Sequence, residues 1–424
     1  MAQTPAQPAS PKKTTDPDEL VLRASSQHGL PAAELLHEAA LLFRQAGATV
    51  SAMHSLERGL QELEELIESP PAARLGAALE FELGRACEEE LGRFEEALVH
   101  YQRAFKLRPD YLEPLRRGRL IYQSLGDMDM VARLSELHLA NLVAGDAQTG
   151  VALALELGQL KLKLNDPAGA VEVLRTALRL HNDASDDTEV PEPLLATLAD
   201  AYVSPEYQPG AGEKEQARRN ASDIYLGLAK RYLDAALVKI LDRAQNAEEE
   251  DEGAARPTAG AIEALAPADR EPRELTESDK KAVHYLKKAL DADVRNVTAA
   301  GILEAMYLRI PEPGRSNELV KLYKSGARVT RRGPKLLALF EAGGTVDYAA
   351  VIDACRAGLD AVSSVDEWRE TRQTLQDMLQ KSGDLLGLAT LKEEEAVEAA
   401  LPEERAELIM QAAEFYQRGG DQER

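Results

Sequence analysis

The feature that most constrains this chain is a spacing that recurs in register. Leu83 to Pro109, LGRACEEELGRFEEALVHYQRAFKLRP, reads as two short amphipathic helices joined at Gly92. Small residues (Gly84, Ala97, Ala104) stand where the two helices must touch. Large ones (Leu91, Phe94, Tyr101, Phe105) fill the seam, and Pro109 ends the unit. Counting from Ala40, Phe43 follows at three positions, Gly47 at seven, Ala52 at twelve, Leu56 at sixteen and Gly59 at nineteen. From Gly158 the same offsets give Lys161, Asn165, Ala170, Leu174 and Ala177. From Arg119 they give a degenerate copy: Tyr122, Gly126, Val131, Ser135 and His138. The Gly84 unit matches with one extra residue before Gly92. One helix pair cannot bury its apolar face alone, so a chain in this register must stack such pairs on one another.

The spacing resembles that of the tetratricopeptide repeat, whose consensus is a 34-residue helix–turn–helix with small residues at the contacts and a terminal proline. The anchors Ala40, Gly84, Arg119, Gly158 and Ala199 lie somewhat wider apart, with the surplus in loops such as Ser69-Pro70-Pro71 and Asn182 to Pro193. The resemblance covers roughly Ala32 to Arg424 and is clearest before Leu180. It implies an all-α fold, a right-handed superhelical solenoid of stacked antiparallel helix pairs. It also implies that first helices line a concave groove where peptides bind. Composition agrees: the chain is 44% hydrophobic but only 4% aromatic, and its apolar set is dominated by the helix formers Ala and Leu. Alternating runs of Val, Ile and Thr are nearly absent, so strands are not expected.

Four segments follow. Residues 1–18 are polar and Pro-rich, a disordered tail. Residues 19–245 form an N-terminal array, 246–275 an acidic, disordered insertion, and 276–424 a degenerate C-terminal array. The insertion separates a first helix, Gln216 to Leu233, from a matching second helix, Asp279 to Asp293. It is either a loop within one repeat or a hinge between two arrays. Weaker units follow at Glu304 and Tyr307 with Leu319, Tyr323 and Gly326; at Ala350, Ala354 and Ala357; and at Leu375, Leu379, Gly383 and Leu388. Ala413, Tyr416 and Gly420 occupy first-helix and turn slots, so the chain ends in mid-repeat. A solenoid normally ends in a polar capping helix. The expectation is an N-terminal part of a larger bacterial repeat protein, open to self-association through its uncapped last repeat.

A net charge of −23 speaks against nucleic acid as a partner, because phosphate binding needs a basic surface. No run approaches the about 18 apolar residues of a membrane span, and the N-terminus lacks the apolar core of a signal peptide. Two distant cysteines, Cys87 and Cys355, form no disulfide framework and point to the cytoplasm. The excess of Arg over Lys, with abundant Ala and Leu, points to a GC-rich bacterial genome. The histidines are scattered: His37-Glu38 has Leu41 where a metalloprotease helix needs a second His. No phosphate-binding loop or nucleophile elbow is present. No catalytic residue, cofactor or metal is therefore expected.

Two basic clusters interrupt the acidic background: Arg116, Arg117 and Arg119 on a first helix, and Arg328, Arg331, Arg332 and Lys335 at a helix entry. Guanidinium forks there would suit a carboxylate-rich partner; the alternative is pairing with the chain's own carboxylates. The predicted function is a non-catalytic protein–protein interaction scaffold, binding proteins or peptides, in a cytoplasmic bacterial assembly. The alternative is a regulatory repeat module of a larger protein with a catalytic domain beyond residue 424.

Overall fold

The computed structural model describes residues 16–142, 147–184, 189–233, 273–359 and 365–420. Most of the expected tail and insertion, residues 1–15 and 246–272, lies outside the described residues. Within them are nineteen α-helices and no strand. The chain divides into two compact units, Met1–Thr197 and Leu198–Arg424.

The first unit holds α1 (Pro17–Ala24), α2 (Leu30–Gln45), α3 (Thr49–Leu63), α4 (Pro70–Arg85), α5 (Phe94–Leu107), α6 (Glu113–Leu125), α7 (Met128–Ala140), α8 (Ala147–Lys163) and α9 (Pro167–Ala184). Helix α10 (Glu192–Val203) crosses the boundary. From α2 onward the helices pack as antiparallel pairs, α2 with α3, α4 with α5, α6 with α7 and α8 with α9. The turn within each pair is set at the slot seven positions after the anchor. Gly47, Gly126 and Asn165 adopt φ of 72°, 77° and 59° there, the left-handed conformation that ends a helix. The next residue's N–H then donates to the carbonyl five residues back: Ala48 to Phe43 (2.8 Å), Asp127 to Tyr122 (3.0 Å) and Asp166 to Lys161 (2.8 Å). Those acceptors are the residues at offset three in the register.

Small residues let the paired helices close. A Cβ on Gly84 would lie 2.6 Å from the Tyr101 ring, and one on Gly158 2.6 Å from Leu174. Ala40, Ala52, Leu56, Ala97, Ala104, Ala170 and Ala177 are all fully buried. Pair α6/α7 differs by one residue. Its close approach falls at Gly118, where a Cβ would meet Leu134 at 3.3 Å, and Arg119 stands half-buried beside it. An arginine is too large for the contact slot, so the neighbouring glycine takes the role.

The second unit continues with α11 (Ala211–Lys230), α12 (Glu277–Ala292), α13 (Val297–Tyr307), α14 (Gly314–Lys324), α15 (Arg332–Ala342), α16 (Tyr348–Leu359), α17 (Val365–Ser382), α18 (Leu385–Glu398) and α19 (Pro402–Gly419). Helices α11 and α12 pack on each other although 46 residues of sequence separate them. Tyr225 stacks on Tyr285 with ring centroids 6.4 Å apart, and the Ser222 hydroxyl donates to the Ala289 carbonyl at 2.9 Å. Asn296 caps α13 by accepting from Ala299 N–H at 2.9 Å, and Asp384 caps α18 by accepting from Gly387 N–H at 2.8 Å. Cys355 is buried against Gly333, where a Cβ would sit 2.2 Å from its sulfur. In α19 the register placed Ala413 at the contact slot. The structure instead buries Ala412, with Tyr416, against Ala389 of α18, and leaves Ala413 exposed.

Substituting Gly158→Ala should destabilise the fold by about 1–3 kcal/mol, because Leu174 must move. Gly227→Ala, at an exposed helical position with open space around it, should stabilise by up to about 1 kcal/mol through helix propensity. Thermal melts of the two variants should move in opposite directions; equal shifts would contradict the close-contact role of Gly158.

Candidate partner-binding surface

The extra residue before Gly92 is accommodated by one π-helical turn, Ala86–Glu90. Leu91 N–H donates to Ala86 O at 3.2 Å, and Arg93 N–H reaches Cys87 O at 2.8 Å. That last bond spans six residues where the other turns span five. Such single-turn bulges are frequent at functional sites. Here the turn presents three successive carboxylates, Glu88, Glu89 and Glu90, to neighbouring helices.

Each finds a cation. Arg44, in the last turn of α2, pairs with Glu82, with Glu89 at 3.0 Å and with Glu90 at 2.7 Å. Glu90 also accepts from the Thr49 hydroxyl. Arg85 pairs with Glu89 at 3.1 Å. Arg117 on α6 reaches Glu89 at 2.9 Å, Glu88 at 3.4 Å and Glu113 at 3.8 Å. One ion network thus ties α2, α4 and α6, the first helices of three successive pairs. Burial by itself would raise the Glu89 carboxyl, but the hydrogen bond from Arg85 and the charges of Arg85, Arg117 and Arg44 outweigh it and hold its pKa low. Glu90 behaves alike: burial opposes, and bonds from Thr49 and Arg44 win.

A second pattern repeats in both units. Buried Tyr101 of α5 donates to Glu88, which Arg117 of α6 also contacts. Tyr225 of α11 donates to Asp200 of α10, which Lys288 of α12 contacts at 2.8 Å. Tyr323 of α14 donates to Glu304 of α13, which Lys335 of α15 contacts at 2.9 Å. Each tyrosine–carboxylate–cation triad joins three consecutive helices. Burial first, and then the carboxylate bond, push the Tyr101 and Tyr225 phenols far up, so they remain protonated donors.

The two arginine clusters lie in different units. Arg116 is exposed and pairs with Glu113 at 3.2 Å. Arg117 belongs to the network above. Arg119 buries one guanidinium nitrogen that finds no hydrogen-bond partner among the described residues. In the second cluster, Arg328 is half-buried. Arg331 holds a left-handed φ of 52°; its N–H donates to Glu367 at 2.8 Å and its guanidinium pairs with Glu370 at 3.1 Å. Arg332 is buried, donates to Ala327 O at 3.3 Å, and has its pKa lowered by that burial; it faces the interior. Lys335 completes the Glu304 triad. The alternative of pairing with the chain's own carboxylates accounts for Arg116, Arg117, Arg331 and Lys335.

Two clefts of the second unit went unnoticed in the residue pattern. One, of about 370 Å³, lies among α17, α18 and α19 and is lined by Trp368, Arg372 and Glu398. Arg372 stacks 4.4 Å from the Trp368 ring centre and pairs with Glu395 at 3.2 Å and Glu398 at 2.8 Å. The other, of about 690 Å³, opens between α18 and α19 and includes Val397, Ile409, Ala413 and Tyr416. The available signal was a pair of large apolar residues, Val397 and Ile409, outside the contact slots in a glutamate-rich segment. Among the described residues no helix is long and apolar enough to cross a membrane.

The family model for the tetratricopeptide repeat matches residues 81–111, from Phe81 in α4 through the π turn to Tyr111 beyond α5. The chain contains a tetratricopeptide repeat there, and the class inferred from the register is upheld. No curated protein matches the chain. Solved structures similar to it include a tetratricopeptide repeat protein from Parabacteroides merdae, at 13% identity over 81% of this chain and 98% of that one, TM-score 0.28. Another is the C-terminal part of a TPR repeat-containing protein from Cytophaga hutchinsonii, at 11% identity over 84% and 92%, TM-score 0.29. A third is the TPR2AB domain of yeast Sti1, solved in a complex with pHSP90, at 15% identity over 71% and 98%, TM-score 0.24. The class assignment rests on the helix pairs and the matched repeat, not on these superpositions.

The charge network carries a pH signature. A carboxylate with a depressed folded pKa stabilises the fold above its unfolded pKa, about 4.3 for Glu. That contribution is lost as pH falls through the lower folded value. Glu89→Gln should therefore cost on the order of 1 kcal/mol at pH 7, and the gap to the unsubstituted protein should close below about pH 4. Melting curves across that range that keep a constant gap would dismiss the network's role.

Proposed function

We propose that this chain is a non-catalytic protein–protein interaction scaffold of a cytoplasmic bacterial assembly. Tetratricopeptide repeats generally mediate protein–protein interaction without catalysis. The observation that carries the reading is the matched repeat at residues 81–111, set in a stack whose first helices are tied across three successive pairs by Arg44, Glu89 and Arg117. Such ties stiffen a surface before any partner arrives, which lowers the ordering cost of binding. The mechanism is equilibrium docking. The net charge of −23 favours basic proteins over nucleic acid as partners. Buried, free Cys87 and Cys355 suit a reducing compartment.

Arg116, Arg119, Arg328 and Arg331 remain the candidate partner-facing cations. Of these, Arg116 and Arg331 are exposed, while Arg119 and Arg328 are half-buried. The packing of α11 on α12 supports reading residues 246–275 as an insertion within one helix pair rather than a hinge.

The test is capture from the native cell on the immobilised full chain, with quantitative mass spectrometry, alongside Arg116→Ala/Arg119→Ala. The expected result is a defined set of retained proteins, at least one falling about tenfold on the double variant. Retention no greater than on bare resin would end the scaffold reading; an unchanged set would remove only the two arginines.

A further inference from the structure

We propose that the strap formed by residues 326–333, which leads from α14 into the first turn of α15, opens locally while the rest of the second unit stays folded, and that its opening uncovers the thiol of Cys355 on α16.

Three costs converge on this short segment. The first is a charge. Arg332, the first residue of α15, is 7% exposed. Its guanidinium donates to the Ala327 carbonyl at 3.3 Å, and its Nε finds no acceptor. Among the described residues no carboxylate pairs with it. A buried charge without a countercharge is costly. Burial holds its pKa low, outweighing Cys355 and Asp353 nearby. The second cost is a hydroxyl. The Thr330 Oγ1 is buried and has no hydrogen-bond partner among the described residues, so its lost hydration is not repaid. The third is in the backbone. Arg331 holds a φ of 52°, a left-handed conformation that few residues other than glycine adopt. Such a conformation persists only where its surroundings impose it.

Little opposes release. Arg331 N–H donates to Glu367 at 2.8 Å, and its guanidinium pairs with Glu370 at 3.1 Å, both on α17. The Arg331 and Glu370 side chains are each 46% exposed, so solvent screens that pair and it contributes little. The buried apolar side chains of the strap are small, Ala327 and Val329. Opening returns the Arg332 guanidinium and the Thr330 hydroxyl to water and relaxes Arg331. Segments with few buried contacts open at a small fraction of the global unfolding cost. The second unit thus carries a joint between two consecutive helices.

Cys355 reports the event. Gly333, in the first turn of α15, lies on its sulfur: a Cβ there would sit 2.2 Å away. The thiol is fully buried, and burial pushes its pKa up to about 12, which keeps it inert while the turn is seated. The other cysteine, Cys87, is equally buried but lies in the π turn, where Arg44, Arg85 and Arg117 close on paired carboxylates. It serves as a control on the same chain.

The test is N-ethylmaleimide labelling of the native full chain at neutral pH, with each cysteine followed by peptide mass spectrometry. Cys355 should label at least about tenfold faster than Cys87. Thr330→Val removes the stranded hydroxyl and leaves every charge in place; it should slow Cys355 labelling about tenfold and leave Cys87 unchanged. Arg332→Met should slow Cys355 as well. That variant also removes a cation that favours the thiolate, so slowing by Arg332→Met alone overturns the proposal. Equal labelling of the two cysteines overturns it too, because both thiols would then wait on global unfolding. If the hydroxyl instead fastens the strap, Thr330→Val speeds Cys355 labelling or lowers the melting temperature, and either result overturns the proposal.

Discussion

The structure depends on how closely two helices of a pair can approach. At Gly84, Gly158 and Gly333 a single added carbon would fall within 2.6, 2.6 and 2.2 Å of Tyr101, Leu174 and Cys355. Real side chains do not tolerate such distances, so the register of each pair is pinned at one point. The left-handed turn residue that follows, Gly92 eight positions after Gly84 and Asn165 seven after Gly158, then sets where the second helix starts. With both ends fixed, successive pairs meet at repeated heights, and side chains that recur in sequence recur in space. The polar ties are a consequence of that repetition.

Those ties follow from a chain of small obligations. A buried phenol must find an acceptor, and Tyr101, Tyr225 and Tyr323 each find a carboxylate on the preceding helix. A partly buried carboxylate is costly without a countercharge, and each is met by a cation from the helix that follows the tyrosine. Satisfying one hydroxyl therefore couples three consecutive helices. In an architecture where each unit otherwise touches only its neighbours, this links a pair to the next one. The π turn at Ala86–Glu90 enlarges the device: it carries three carboxylates, Glu88, Glu89 and Glu90, and Arg44, Arg85 and Arg117 close on them.

Much of this was legible in the residues, and the remainder was not for definable reasons. Anchor and turn spacings identified the helix pairs, because glycine at a left-handed turn and small residues at a contact leave period and identity in the sequence together. The extra residue before Gly92 was visible as an irregularity, but its π-turn geometry was not. At α6 the register pointed to Arg119 and the structure uses Gly118; at α19 it pointed to Ala413 and the structure uses Ala412. Both shifts are one residue, a third of a helical turn, which a spacing argument cannot resolve when the turn glycine alone fixes the count. The arginine pairings were invisible because their partners are remote: Arg44 meets Glu90 across 46 positions. The burial of Arg332 likewise depends on packing that no local pattern encodes.

The pairing of cations changes where recognition should be sought in so acidic a chain. Arginines look conspicuous in a sequence of net charge −23, and the natural inference is that they await an acidic ligand. Yet a stack of helices with many carboxylates needs countercharges to hold its own first helices together, and Arg44, Arg85 and Arg117 already serve that need. An arginine already fixed by two or three carboxylates gains little from one more. Exposed apolar side chains such as Val397 and Ile409 have contact area still to give. Burying such side chains releases a hydrophobic contribution of roughly 25 cal/mol for each Å² removed from water.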